Sequence, residues 1–356
     1  MLREGNVWVW GFRGSGQQGN GTSAVDSTAS PRTVNTLSNI VEVTGSAYTL
    51  VAIDSEGRAY GWGQNLYGAA GVGQTGIVDR PRQIPFPAGR KVEQVAAGEY
   101  FFIARLDDGS VWTWGHNLYG QLGNGNFGNQ PMPIRVNLPA GQTARLIGAA
   151  YEGAFVVTNQ NRVYAWGDNE ASGLGFTGTI YGVQQIHRSP VEVTALQSYA
   201  SNMTYIAGGN GWGQALLENG TVIGWGLRAS LGRGITSVIG TGHHGGVITS
   251  IATNVTQMHS RYVGTIALTS SGEVLTWGQT EGSAFPSIYG ASVTTRTLTQ
   301  GLPAGTSVLE IGGGKEHVYY VTSDNQIWGA GYGALNKLSL TGIVNRSWPG
   351  VRVNLP

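Results

Sequence analysis

The sequence contains no cysteine. That removes disulfide staples, thiolate nucleophiles and Cys-ligated zinc in one step, and it leaves the redox compartment open. Charge is almost as scarce: Asp, Glu, Lys and Arg make up 12% of the 356 residues and balance to a formal net charge of +1. With no basic tail and no Lys/Arg run, the electrostatic footprint of a nucleic-acid binder is missing, so nucleic acid is not an expected partner. No stretch approaches the ~20 apolar residues that span a bilayer. The opening MLREGNVWVWG has no apolar core of signal-peptide length. The expectation is a soluble chain with no membrane insertion and no recognisable export signal.

The patterns of catalysis are missing too. The six histidines, His116, His187, His243, His244, His259 and His317, show no metal-type spacing and read as solvated loop residues. Carboxylates are few and sit mostly in turns, as Asp54, Glu56, Asp107, Asp108, Glu218 and Asp324 do, so no acid–base pair stands out. Neither a GxSxG elbow nor a phosphate loop occurs. The sequence is therefore read as a binding scaffold, not an enzyme, with no cofactor and no metal.

What the chain has in abundance is glycine (58 residues), together with 11 Trp and 15 Tyr. That mixture suits many short strands joined by tight turns, with enough apolar surface to offset chain entropy. A Trp-Gly pair returns throughout. Its anchors are Trp10, Trp62, Trp114, Trp166, Trp225 and Trp277, with Ala330 holding the same frame in QIWGAG. The spacings are 52, 52, 52, 59, 52 and 53 residues, a regularity that marks an internal repeat.

Each repeat couples an alternating run, such as Val92 to Gly109, to a strand of the VWTWG kind. Period-two apolar positions signal half-buried strands. The Gly of Glu56-Gly57, Asp108-Gly109 and Asn219-Gly220 supplies the positive φ that a hairpin turn needs. A glycine-punctuated loop follows, as in NLYGQLGNG (117–125), then a Pro-flanked strand such as PIRVNLP (133–139). A unit of about fifty residues with four short strands cannot bury both of its faces alone, so the copies must stack. The predicted fold is an all-β, seven-bladed β-propeller, with residues 1–356 forming a single domain.

The first blade does not close in this count. Seven anchor strands are present, but only six preceding hairpins, near Ile40, Val92, Ala144, Met203, Ile251 and Val308. The blade is either short or made from both termini, or it leaves an edge for a strand from another chain. The second case implies a homo-oligomer or strand exchange at the seam.

The wording VAAGEYFFIARLDDG followed by VWTWGHNLYGQLGNG resembles the repeat of the regulator of chromosome condensation family. The resemblance spans nearly the whole chain. It is strong over Val92 to Gly125 and weaker later, where Ala330 replaces Trp and Gly282-Ser283-Ala284-Phe285 replaces Gly-Gln-Leu-Gly. It implies a seven-bladed propeller. It also implies partner binding through aromatic turns, as in a bacterial β-lactamase inhibitory protein of similar fold. Guanine-nucleotide exchange on a small GTPase, another activity of the family, is disfavoured here by the missing basic tail and wedge insertion. The only insertion is seven residues between Trp166 and Trp225.

Two sets of residues are candidate contact surfaces. Tyr48, Tyr100, Phe101, Tyr151, Trp212, Tyr262 and His317 fall at equivalent turns, and aromatic residues ringed on one face supply rigid contact area. The competing reading is that half of them point into the core. Asn65, Tyr67, Asn117, Tyr119 and Asn169, in the loops after Trp-Gly, are read as a second surface on the opposite face, or as plain turn chemistry. Substituting Tyr100, Phe101 and Trp212 together is expected to abolish binding and leave the fold intact.

The function expected is recognition of a protein or glycan partner. A broad aromatic patch would favour protein, and aromatic-lined shallow pockets would favour glycan. The alternatives are an inhibitor or adaptor of a single enzyme, and an exchange factor. Low charge, Gly/Thr/Asn-rich loops and the phrases VNLPAG and GLPAG give a virion, tail-fibre or extracellular setting a slight preference over the cytoplasm.

Overall fold

The computed structural model describes residues 1–23, 27–176, 184–226, 231, 248–261, 264–278, 293–297, 305–313, 317–332 and 345–353. Seven antiparallel sheets follow one another in chain order, six with four strands and one with three. Helix among the described residues is limited to Glu170–Ser172, Thr194–Leu196, Gln197–Ala200 and a 3-10 position at Leu231. This is the blade organisation of a seven-bladed propeller.

Two compact units divide the chain. The first holds blades one to four. Blade one is formed by Leu2–Arg3, Asn6–Phe12 and Ser27–Thr33. Blade two is formed by Ile40–Gly45, Thr49–Asp54, Ala59–Gly63 and Val78–Gln83. Blade three comprises Val92–Ala97, Phe101–Leu106, Val111–Gly115 and Gln130–Arg135. Blade four comprises Ala144–Ala149, Gly153–Thr158, Val163–Asp168 and Ile186–Glu192. The second unit holds blades five to seven. Their first strands are Met203–Gly209, Val255–Arg261 and Val308–Gly313.

One sequence expectation is corrected by these assignments, and one alternative is set aside. The sixth blade starts at Val255 and not near Ile251, because Ile248–Ala252 is the fourth strand of blade five. Among the described residues, the first blade takes no strand from the C-terminal end of the chain and is a short, three-stranded sheet. Its three strands all come from residues 2–33, whereas Asn345–Val353 pairs with Ile327–Tyr332 inside blade seven.

Local chemistry explains the hairpins. The turn between second and third strands places Gly57, Gly109 and Gly220 at φ of 80°, 72° and 78°. In blades four and seven the same place is taken by Asn161 and Asn325, at φ of 57° and 60°, the side chain that best tolerates this region after glycine. Asp54 and Asp108 organise the turns by accepting backbone N–H bonds from residues two ahead.

The repeat tryptophans join neighbouring blades. In the first unit the indole Nε1–H of Trp62 donates to the Gln17 carbonyl (2.9 Å), that of Trp114 to Ala69 (2.9 Å) and that of Trp166 to Gln121 (2.8 Å). Each acceptor lies in the glycine-rich loop of the preceding blade. Within the second unit Trp225 donates to Gly173 (2.9 Å) in the same way. All four indoles are buried, so each contributes its large apolar area and satisfies its one donor as well. The chain itself adds a covalent link, since the last strand of one blade leads into the first strand of the next, as Val78–Gln83 does into Val92–Ala97.

Gly61 shows how tightly the loop lies on the strand. A Cβ there would stand 2.0 Å from the Ala70 carbonyl oxygen, a backbone atom that cannot swing aside. Gly61→Ala is expected to destabilise the first unit by about 1–3 kcal/mol through overpacking. An unchanged thermal midpoint would refute this.

Candidate functional site

In an up-and-down sheet the connections after the first and third strands emerge at one end, and those after the second and fourth at the other. The turn at residues 46–48 and the loop at 64–77 of blade two therefore share an end, as do 98–100 and 116–129 of blade three. Hydrogen bonds tie them together: Gln64 N–H donates to the Tyr48 carbonyl (2.9 Å) and His116 N–H to that of Tyr100 (3.0 Å). The expectation of two opposite surfaces is thus corrected. In the first unit they are one.

Successive turns are also linked across blades. Ala47 N–H donates to the Glu99 carbonyl (3.2 Å), and Glu99 N–H to that of Tyr151 (3.0 Å). This row carries Tyr48, Tyr100 and Tyr151, all partly exposed, with Tyr48 the most open at 44%. Beside it the loop side chains close in. Tyr67 packs edge-on to Tyr100 with centroids 5.4 Å apart, and its ring lies 4.5 Å from His116. His116 in turn meets Tyr100 at 6.4 Å and Tyr119 at 6.1 Å.

His116 is not the solvated loop residue expected from sequence. Burial among these rings holds its imidazole below the usual histidine range, favouring the neutral form. Gln121 Nε2 lies 2.9 Å from Nδ1 and Gln121 Oε1 accepts from Tyr119 N–H (2.9 Å), so one buried amide orients both members of the cluster. Burial first, then Glu99, Tyr48 and Tyr67, raises the pKa of the Tyr100 hydroxyl.

The residues chosen from sequence separate into two classes. Phe101 and Trp212 are fully buried in blades three and five, respectively. They belong to the core, so replacing them together with Tyr100 would break the fold, and the expectation that the fold would survive the triple substitution is corrected. Asn65, Asn117 and Asn169 are also fully buried. Each Oδ1 accepts the N–H of the residue five ahead: Ala70 (2.8 Å), Leu122 (3.0 Å) and Leu174 (3.0 Å). Their amide groups donate to loop acceptors that include the Gln74, Gly128 and Phe176 carbonyls. These asparagines build the loops and present no surface to a partner. Tyr262 and the side chain of His317 lie outside the described residues.

Sequence inspection missed the residues that the loops display. Leu66 and Leu118, one step after the buried asparagines, are 60% and 59% exposed. Ile77 and Phe127 extend the apolar surface, and Arg188 lies over the Phe127 ring at 5.3 Å. The signal was present in the repeated wording Asn-Leu-Tyr-Gly, whose Leu has no counterpart in blade four, where Glu170 follows Asn169.

The regulator of chromosome condensation (RCC1) repeat matches residues 4–53, 56–104 and 108–157, and a second description of that repeat matches 92–121. The Ultraviolet-B receptor UVR8 of Arabidopsis thaliana is 26% identical over 356 residues, covering 97% of this chain and 77% of that protein. The E3 ubiquitin-protein ligase HERC2 of Homo sapiens is 28% identical over 246 residues, covering 67% of this chain. The chain spans only 5% of HERC2 and 44% of the mitochondrial RCC1 domain-containing protein RUG3 of Arabidopsis thaliana. Among solved structures, Prp20p from Saccharomyces cerevisiae aligns with a TM-score of 0.77 at 18% identity, over 99% of this chain and 87% of that one. Human WBSCR16 aligns with a TM-score of 0.78 at 18% identity, over 99% and 95%. The alignments bear out the seven-bladed all-β propeller.

Proposed function

Since the chain carries regulator of chromosome condensation repeats in a seven-bladed propeller, we propose that it is a non-catalytic protein-recognition module. The partner binds across the end of blades two and three where Tyr48, Leu66, Tyr67, Tyr100, Leu118 and Tyr119 lie. The observation that carries this reading is the pair of exposed leucines held out by fully buried asparagines. An exposed apolar patch costs solubility and marks an interaction surface. A rigid loop beneath it lowers the entropy lost on binding. The aliphatic share of the patch, Leu66, Leu118 and Ile77, favours a protein over a glycan partner. At the level of fold, Prp20p offers a parallel, as its structure was described together with binding to Gsp1p and histones.

The test is crosslinking mass spectrometry on the full chain in lysate of its source, comparing wild type with a Leu66→Ser/Leu118→Ser double variant. Because both side chains are mostly in solvent, the variant should melt like the wild type and lose its partner by at least tenfold. Undiminished capture would overturn the assignment of this end of the blades. Glu56→Ala, at the other end of blade two, serves as the control and should bind normally.

A further inference from the structure

The outermost strand of every blade in the first unit is bulged at the same place. Two steps along the anchor strand of blade one, from Val9 to Gly11, span four on its outer neighbour, from Arg32 to Thr28. The same holds for Gly61 to Gly63 against Arg82 to Val78, Thr113 to Gly115 against Ile134 to Gln130, and Ala165 to Gly167 against Val191 to His187. Three outer residues therefore stand against each single anchor tryptophan. The last of the three is proline in all four blades: Pro31, Pro81, Pro133 and Pro190.

The ladder tells which way these prolines face. Three residues further on, Val34, Ile84, Val136 and Val193 donate inward to the Val7, Ala59, Val111 and Val163 carbonyls at 2.9, 2.8, 2.8 and 2.8 Å. Backbone groups alternate in direction along a strand, so an N–H an odd number of residues away would point to the open side, where proline has none. The start of the bulge is covered as well. The Asp79, Pro131 and Arg188 carbonyls accept the N–H groups of Gly21, Gly73 and Gly125 from the preceding blade's loop, at 2.8 Å each. Each edge also carries an exposed arginine one or two residues from its proline: Arg32, Arg82, Arg135 and Arg188. The proline is not needed to make the bulge. Blade five has the same two-against-four register, from Val222 and Gly224 to Ala252 and Ile248, with Thr249 at this place.

We propose that the four outer edges of the first unit are built to refuse β-strand addition by a second copy of the chain. An open strand edge is a template for pairing with another chain, and bulges, prolines and charges are what blunt it. Here the proline withdraws the outward donor, the bulge breaks the register that an added strand would need, and the arginines set like charge against like charge across an edge-to-edge pair. Self-association of this chain, where it occurs, runs through another surface.

The experiment uses the full chain in two variants, Pro81→Val and the four-site Pro31→Val/Pro81→Val/Pro133→Val/Pro190→Val, read against wild type by sedimentation equilibrium up to about 100 µM. Pro81→Val opens one edge and should double the mass of the wild-type species, because that edge pairs with its own copy about a two-fold axis. The four-site variant should grow beyond that. Association should strengthen in high salt, which screens the arginines, and melting at low concentration should match wild type. Both variants staying at wild-type mass would overturn the proposal. So would association that appears only with a lowered melting temperature, since unfolded chain and not an open edge would then be its cause. Association indifferent to salt would remove the arginines from the device. If the four-site variant does not fold, Pro81→Val decides by the same readings.

Discussion

Replacing Glu42 with glutamine is expected to stabilise the protein by about 2–3 kcal/mol at pH 8 and to change it little at pH 5. Glu42 sits in the first strand of blade two, and its carboxylate accepts the Val95 N–H of the next blade at 3.4 Å. The equivalent residue of blade three is Gln94, which spans its seam with both ends of the amide. Its Nε2 donates to the Ile147 carbonyl (3.1 Å) and its Oε1 accepts the Ile147 N–H (3.2 Å). Gln257 does likewise toward Leu309 and Ile311 in the second unit. An ionised carboxylate can accept but has no hydrogen to donate, so only protonated Glu42 reproduces the glutamine pattern. Burial raises its pKa from 4.5 to about 7, against the smaller opposing effect of the Val95 bond. Between those values the folded chain retains a proton that the unfolded chain has released. Stability therefore falls by roughly 1.4 kcal/mol for each pH step of one across the window from about 4.5 to 7, and is flat above it. Urea unfolding of wild type and Glu42→Gln at pH 5, 6, 7 and 8 should give curves that diverge through this window. Parallel curves would mean that the seam does not favour the protonated form.

The glutamines at this position were invisible as a set in the sequence, because the blades fill it with Glu42, Gln94, Leu146, Tyr205, Gln257 and Glu310. Only strand register identifies them as equivalents, each following a bulge in the first strand. The Trp-Gly anchors were legible for the opposite reason. A buried indole that both fills a blade seam and donates to a loop carbonyl, as Trp62, Trp114, Trp166 and Trp225 do, is hard to replace, so the residue recurs at the spacing of the blades up to Ala330 in blade seven. Burial in the second strands was misread because both faces of a blade are covered. Phe101 and Phe102 are consecutive and both fully buried, which defeats sorting by alternation. The end of the sheet on which each connection emerges follows from strand parity alone, and that step would have merged the two candidate surfaces. The His116 cluster lay further out of reach, since Tyr67, Tyr100 and His116 come from three separate connections.

Asn117→Ala is expected to cost about 2–4 kcal/mol, and Asn117→Asp to cost more at pH 7. The Asn117 Oδ1 accepts the Leu122 N–H (3.0 Å), while Nδ2 donates to the Asn126 and Gly128 carbonyls at 3.0 and 3.1 Å. Alanine leaves the buried Leu122 N–H unsatisfied, with its desolvation penalty, and removes the bonds that hold the Asn126 and Gly128 carbonyls in place. Aspartate keeps the acceptor for Leu122 but turns the donor into an anionic oxygen facing two carbonyl oxygens. Its carboxyl pKa should be raised, so the deficit of Asn117→Asp should shrink as pH drops towards 4, while that of Asn117→Ala stays constant. Thermal melts across that range decide the point, and an aspartate variant as stable as wild type at pH 7 would refute it. The same loop carries Gln121, whose carbonyl receives the Trp166 indole N–H of blade four. Loss of Asn117 therefore unseats a blade contact as well as the Leu118 and Tyr119 display, and stability and partner binding should fall together. Leu118→Ser, on the exposed side of that loop, should separate them by lowering affinity at an unchanged melting temperature.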